Sequence, residues 1–291
     1  MTETKISSYL QDIKKRIEEQ IDRLLQNENK LIDGLMKSAV YSASGGKRVR
    51  AVFTHLIGEL FSVPSSNLLM TSCAVELIHA ASLIMDDLPY MDDAQLRRGK
   101  PSNHVVFGQD VALLASIGLL SKSSQIILED ETLSAEQRIR VLDILTGSYG
   151  FDGLAAGQFV DLKLKDKHVD FEIIEFINRK KTAALFTAAG QAAAIIGRAT
   201  PEQMERIADY AENIGFAFQI VDDMLDIAGD KKLIGKEIGQ DKMNFVKLVG
   251  EEEAKKYLDR YTNAARQALD VFADKASELQ AFGQYLLERV Q

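Results

Sequence analysis

The chain is short of everything that would staple, break or anchor it. Its 291 residues include one cysteine, Cys73, so neither an intrachain disulfide nor a cysteine-based zinc site can be built. That usage fits a reducing compartment, and a cytoplasmic location is expected. Only four prolines occur, at 64, 89, 101 and 201, which leaves room for long uninterrupted helices. There is no Gly/Ser-rich or Pro-rich linker and no periodic repeat, so one domain is expected over residues 1–291. No run of 18 apolar residues is found, so no membrane span is expected. The opening Met-Thr-Glu-Thr-Lys leads into an amphipathic pattern without the apolar segment of a secretory signal. No basic face stands out and the formal net charge is −8, which argues against a nucleic-acid partner. The same charge disfavours an anionic ligand unless metal ions or local Lys and Arg side chains neutralise it.

What is present is helical spacing. Hydrophobic residues make up 46 % and charged residues 27 % of the chain, values of a globular protein. Ile6, Leu10, Ile13, Ile17, Ile21 and Leu24 recur at intervals of three and four, the signature of an amphipathic opening helix. Ala51–Phe61, Leu68–Met85 and Val111–Leu128 are apolar enough for buried helices. Gln137–Lys165 is amphipathic but interrupted by glycines, and the Ala-rich Phe171–Gly197 suits close helix packing. Pro201 should open the next helix behind a Thr200 cap and run to about Ile227; Glu251–Phe272 and Ala276–Val290 close the chain. No alternating strand pattern longer than a few residues is seen. The expectation is an all-α bundle of roughly ten long helices, with polar loops near 87–108 and 228–247.

Each loop follows a cluster of aspartates. Asp86-Asp87-Leu88-Pro89-Tyr90-Met91-Asp92-Asp93 ends an apolar run, and four carboxylates in eight residues repel one another if left bare. Pro89 should break the helix and let Asp92 fold back toward Asp86. In the second cluster Gln219, Asp222, Asp223 and Asp226 fall at i, i+3, i+4 and i+7, on one helix face. An isolated Asp-Asp pair is most simply a solvated helix end. Here, however, both clusters sit at the C-terminal ends of apolar helices, where the helix dipole disfavours negative charge. That placement, twice over, suggests a bound cation. Oxygen ligands without cysteine or paired histidine point to Mg²⁺, which commonly bridges carboxylates to phosphates.

Cations lie nearby. Ser44-Gly45-Gly46-Lys47-Arg48-Val49-Arg50 sets two glycines before three cations, so that backbone and side chains can approach a phosphate, although the spacing is not that of a P-loop. Arg97-Arg98-Gly99-Lys100 follows the first cluster and can simply pair with it; Lys181-Thr182 and Lys236 add further cations. His79 precedes Asp86 by seven residues on nearly the same helix face, although a lone histidine on an apolar helix is commonly just a core residue. Glu76 and His79 also spell the Glu-x-x-His of di-iron bundles. Those bundles need two such motifs, and no other histidine here has the glutamate.

Taken together, these residues resemble the trans-isoprenyl diphosphate synthases, from Gly45-Gly46-Lys47-Arg48 to about Gly250. The segment from His79 to Gly99, with Leu119-Leu120-Ser121-Lys122 and Gly157-Gln158-Phe159-Val160-Asp161-Leu162, is most similar to the bacterial geranylgeranyl diphosphate synthases of the carotenoid type. The resemblance implies a bundle of long helices around a central cavity, a homodimer, and about three Mg²⁺ ions per site. It implies that Asp86, Asp92 and Asp222 hold the metal, that Arg97, Lys181 and Lys236 bind the allylic diphosphate, and that Lys47, Arg50, His79 and Arg98 bind isopentenyl diphosphate. Thr182, Phe218 and Gln219 would line the reacting centre. The implied reaction is ionisation of the allylic diphosphate, attack by the isopentenyl double bond and loss of a proton, with diphosphate itself as base.

Some positions depart from the family pattern. Ala51 stands where a proline is usual, and Ser116-Ile117 where Gly-Asp is common. The loop through Lys236, Asp241 and Lys242 is shorter than usual, and Lys242 is not carried over as a phosphate ligand. In this family bulk just before the first aspartate cluster limits product length. Ala81 and Ser82 are small, which favours the C20 product, geranylgeranyl diphosphate, over C15 farnesyl diphosphate. A terpene cyclase need not keep Lys47, Arg50 and His79, and non-catalytic subunits of heteromeric synthases often lose one aspartate cluster. Both readings are weaker here.

Overall fold

The computed structural model of the protein describes residues 3–164, 170–228 and 244–287. It is helical almost throughout. The helices are α1 (Glu3–Leu24), α2 (Asp33–Ala43), α3 (Val49–Leu60), α4 (Ser65–Asp86), α5 (Asn103–Phe107), α6 (Gln109–Leu128) and α7 (Ala135–Tyr149). They continue with α8 (Leu154–Leu164), α9 (Phe171–Ile177), α10 (Ala184–Ile196), α11 (Pro201–Ala228), α12 (Phe245–Val249), α13 (Glu251–Ala268) and α14 (Ser277–Leu287). Among the described residues the only strands are Leu96–Arg97 and Lys100–Pro101, which form a two-residue antiparallel hairpin.

Helix α10 lies at the centre, packed on α3, α4, α7 and α11. Its composition allows this: Ala188, Ala189, Ala192, Ala193 and Ala194 are all buried and let neighbouring backbones come close. At Gly190 a Cβ would sit 3.0 Å from the Phe53 ring and 3.1 Å from Ile207, so only glycine fits there without displacement. Phe53 anchors the core, with its ring 5.2 Å from Phe186, 5.9 Å from Tyr210 and 6.2 Å from Phe282. Truncating such a side chain costs about 3–5 kcal/mol. A second, smaller cluster gathers Phe216 and Ile220 of α11 with Ile174, Phe245, Val246 and Ala254. Helix α11 therefore belongs to both: Ile207 and Ile214 pack in the large core, Phe216 and Ile220 in the small one.

Several expectations need revision. The glycine-interrupted Gln137–Lys165 segment is two helices, α7 and α8, and the 87–108 loop contains the hairpin and α5. The Ala-rich Phe171–Gly197 segment is not one α-helix: Asn178–Ala183 is a π-helical turn between α9 and α10. Alanine periodicity says nothing of such a turn. The helix expected over Glu251–Phe272 ends at Ala268, and residues 288–290 of the last expected helix lie outside the described residues. No run of 18 strictly apolar residues occurs, yet α4 and α6 are long and apolar enough, by length and composition, to cross a membrane. Mean hydropathy over 18 residues tolerates the scattered polar side chains that break a strict apolar run, and reaches 1.7 and 1.6 in these helices. In α4, 72 % of that window is buried inside the protein, as in a core helix; in α6 only 39 % is. The Thr200 cap does form, with Oγ1 accepting from the Gln203 backbone N–H and the Thr200 N–H donating to Gln203 Oε1.

Candidate active site

Helix α4 ends at Asp86, as Pro89 demands, and the chain turns back so that the Asp92 N–H donates to the Asp86 carbonyl at 2.9 Å. Asp86 is partly buried. Loss of water pushes its carboxyl up to about 6, opposed by Lys181 and reinforced by Asp92. Asp87 points the other way, into the protein, and accepts from Arg97 Nε at 2.9 and 3.2 Å and from Arg97 Nη2.

The π-helical turn brings a cation to these carboxylates. Lys181 Nζ lies 2.6 Å from Asp161 on α8 and 4.0 Å from Asp92. Burial works to lower its ammonium, yet Asp86, Asp161 and Asp92 together hold it above the ordinary lysine value. Helix α8 reaches this turn closely because of Gly157: a Cβ there would stand 2.7 Å from the Lys181 backbone nitrogen. The next residue, Thr182, donates through Oγ1 to Gln219 Oε1 at 3.1 Å. Gln219 Nε2 in turn donates to Asp223 at 2.8 Å.

On α11 the two adjacent aspartates also differ. Asp223 is buried, and its Oδ2 accepts from the Phe245 N–H at 2.7 Å, at the start of α12. Asp222 is partly buried, and its charge reaches Arg50 on α3. Phe218 is part-buried against the large core.

Arg50 and Arg98 form the cationic side, with His79 beside them. Arg50 Nη1 lies 3.4 Å from His79 Nε2, and its guanidinium stands 5.2 Å over the Phe186 ring. Burial, then Arg50, Arg98, Arg97 and Arg48, push His79 well below the ordinary histidine value, so it is neutral. Arg98 extends from the hairpin so that a Cβ at Gly46 would meet its guanidinium at 2.9 Å; Gly46 has φ 93°, open to glycine alone. Lys47 is exposed on the same turn.

Asp86, Asp92 and Lys181 are thus brought together, as are Arg50 with His79, Asp222 with Arg50, and Thr182 with Gln219. Lys236, Asp241 and Lys242 lie outside the described residues, and so does the side chain of Asp226. Ala81 is fully buried, while Ser82, its Oγ on the His79 carbonyl at 2.9 Å, is part-exposed. Two groups around the site escaped the residue-by-residue reading. Asp161 lies in the Gly157–Leu162 stretch, where glycine hinted at close approach. Glu76 was legible only as half of an unmatched Glu-x-x-His.

A family model described as polyprenyl synthetase matches residues 32–279. The chain belongs to the polyprenyl synthetase family. It is 38 % identical to the farnesyl diphosphate synthase of Bacillus subtilis (strain 168), over 91 % of this chain and 92 % of that one. It is 40 % identical to geranylgeranyl pyrophosphate synthase 11, chloroplastic, of Arabidopsis thaliana, over 84 % of this chain and 71 % of that one. Among solved structures, the apo FPP/GFPP synthase of Zymomonas mobilis superposes with a TM-score of 0.89 at 31 % identity, covering 97 % of this chain and 99 % of that one. The polyprenyl synthetase match spans both aspartate clusters and every cation named above.

Proposed function

We propose that this chain condenses isopentenyl diphosphate head to tail with allylic diphosphates, and that its main product is geranylgeranyl diphosphate. That it is a short-chain trans-prenyltransferase follows from its family. The observation that carries the reading is the meeting of Asp86 and Asp92 with Lys181, together with the gathering of Arg50 and Arg98 around neutral His79.

The donor set suits magnesium. Among the described residues no three His, Cys, Asp or Glu side chains form a complete metal cage. An ion held by few carboxylates would be completed by phosphate oxygens and water. The raised Asp86 carboxyl, buried beside Asp92, is a group a divalent cation would relieve. Asp86, Asp92 and Asp222 would hold Mg²⁺, about three ions per site on the family pattern, and the metal would stabilise charge on the departing diphosphate.

The chain's own residues do the rest. Arg97, Lys181 and Lys236 hold the allylic diphosphate, with Lys181 kept fully charged by its three aspartates. Lys47, Arg50, His79 and Arg98 hold isopentenyl diphosphate. If His79 Nε2 accepts from Arg50, its proton sits on Nδ1. Thr182, Phe218 and Gln219 border the reacting carbons. The proton released after attack goes to the diphosphate product.

The small Ala81 and Ser82, one turn before Asp86, support the C20 product. A second reading, farnesyl diphosphate as end product, draws support from Ala81 having no exposure: no open channel reaches its methyl group, which leaves part-exposed Ser82 and Met85 to set the floor. A second copy of the chain would cover the outward face of α6, where Leu114, Ile117 and Leu128 are exposed beside Val105 and Val106 of α5. We read the protein as a homodimer of one-domain subunits, and the lone buried Cys73 as fitting a cytoplasmic setting. The test is to supply isopentenyl diphosphate, each allylic primer and Mg²⁺, then size the dephosphorylated product. Geranylgeraniol is expected. Farnesol alone would overturn the C20 assignment, and no consumption of isopentenyl diphosphate would overturn the function. Ala81→Tyr and Ser82→Phe should each shorten the product; an unchanged product length would exclude the altered position from the floor.

A further inference from the structure

The buried carboxylate of Glu76 on α4 touches none of the residues expected to hold diphosphate, yet it organises the segment that carries two of them. Glu76 is 3 % exposed, and both its oxygens are engaged. Oε2 accepts from Arg48 Nη1 at 3.1 Å, and Oε1 from the Ala51 N–H at 3.2 Å. Arg48 and Ala51 bracket the first turn of α3. Arg48 is its N-cap residue, with φ 55° and ψ 30°, a left-handed backbone that a side chain disfavours, and makes no side-chain cap of its own. Glu76 supplies that cap from another helix, with a negative charge at the helix N-terminus where the dipole favours it. Arg48 Nη2 also donates to the Ala43 carbonyl at 2.6 Å, closing the Gly45-Gly46 turn from behind. Lys47 and Arg50 flank this clamp, and His79 follows Glu76 by one turn of α4. The charge of Glu76 also acts on Arg50 and Arg98, offsetting the repulsion between them.

We propose that Glu76, acting through Arg48 and the first turn of α3, is the positioning residue of the isopentenyl diphosphate subsite. It sets where Lys47 and Arg50 stand relative to His79 and does not contact substrate. The inference rests on the proposed function. It predicts an asymmetry between the two substrates, because the allylic side is built on α4's end, the π-helical turn and α11, none of which Glu76 or Arg48 bonds.

The test uses the full-length protein with Mg²⁺. Initial rates are measured with each substrate varied at saturation of the other, for wild type, Glu76→Gln, Arg48→Lys and the double variant, with thermal unfolding alongside. Glu76→Gln should raise KM for isopentenyl diphosphate about tenfold while KM for the allylic primer stays within about twofold. Arg48→Lys should shift the same way, and the double variant should be no worse than the worse single one, because the pair acts as a unit. Unchanged KM values, or both rising together, would overturn the inference. If Glu76→Gln does not fold, Arg48→Lys carries the same comparison. A wild type that consumes no isopentenyl diphosphate sinks the functional reading; an active wild type with an indifferent Glu76→Gln variant sinks only this one.

Discussion

The two aspartate clusters share a pattern and differ in how they are held. In each, one of two adjacent aspartates is taken up by the fold. Asp87 binds Arg97, and Asp223 binds Gln219 and the Phe245 amide. The other member, Asp86 or Asp222, stays among the charged side chains of the candidate site. The means of support diverge. The first cluster is braced by ions: Arg97 on Asp87, and Lys181 between Asp161 and Asp92. The second is braced by neutral donors and aromatic packing, with Phe216 and Phe245 in the small core beside Tyr257 and Tyr261. Within an Asp-Asp pair, then, chemistry type does not tell which carboxylate serves the site; the neighbour waiting behind it does.

Substitution can break this comparison at its strongest point. Asp86→Asn and Asp222→Asn should each lower kcat by about 10²–10³, roughly 3–4 kcal/mol of transition-state stabilisation, with little change in thermal unfolding. If either variant kept wild-type turnover, the paired assignment would fail. Next in size is an effect of pH on the large core, on the side remote from both clusters. His55 on α3 is 2 % exposed, its Nδ1 is 3.1 Å from Ser65 Oγ, and its Nε2 has no hydrogen-bond partner. Burial, aided by Arg16, lowers it to about 4. The unfolded chain, with an ordinary histidine, binds the proton first. The His55 contribution to stability therefore falls as pH drops from about 6.5 to about 4, by about 3 kcal/mol, while the raised Asp86 carboxyl acts with the opposite sign below about pH 6. The difference in urea midpoints between wild type and His55→Asn across that window measures it; a difference independent of pH would exclude His55 as the source.

Smaller effects separate the supports from the working groups. Asp223→Ala leaves the buried Phe245 N–H and Gln219 amide without their acceptor and should cost about 2 kcal/mol in chemical denaturation. Its loss of stability should exceed that of Asp222→Ala; the reverse order would mean that the assignment of roles on α11 is inverted. Smallest of all, Gly157→Ala presses a methyl group on the Lys181 backbone and should cost about 1–2 kcal/mol. Its kcat should fall more than its stability implies, because the same contact seats Lys181. A kcat unchanged at full folding would show that the turn has room to move.

Much of this was legible in the amino-acid order. The return of Asp92 to Asp86 followed from Pro89, the start of α11 from Thr200-Pro201, and the helical class from apolar spacing. The site's cations and carboxylates could be named because charged groups in an otherwise apolar setting need a reason. What stayed hidden was of two kinds. The π-helical turn at Asn178–Ala183 leaves no trace in an alanine-rich pattern, since it depends on how α8 and α11 press on that segment. The partners of Glu76 and Asp161, and the Phe245 amide that meets Asp223, were hidden because each lies far along the chain from its counterpart. Glu76 and Arg48, for example, lie 28 residues apart in the chain.

Charge around the candidate site is sorted by position. Carboxylates crowd the end of α4 beside Lys181, whereas the turn at residues 45–50, His79 and Arg98 present donors with Glu76 withdrawn behind them. A chelator should therefore separate the two substrates. Removing divalent ions would weaken retention of the allylic partner and leave capture of the isopentenyl partner nearly intact, so a single polypeptide would show metal-dependent and metal-independent recognition of the same chemical headgroup within one pocket.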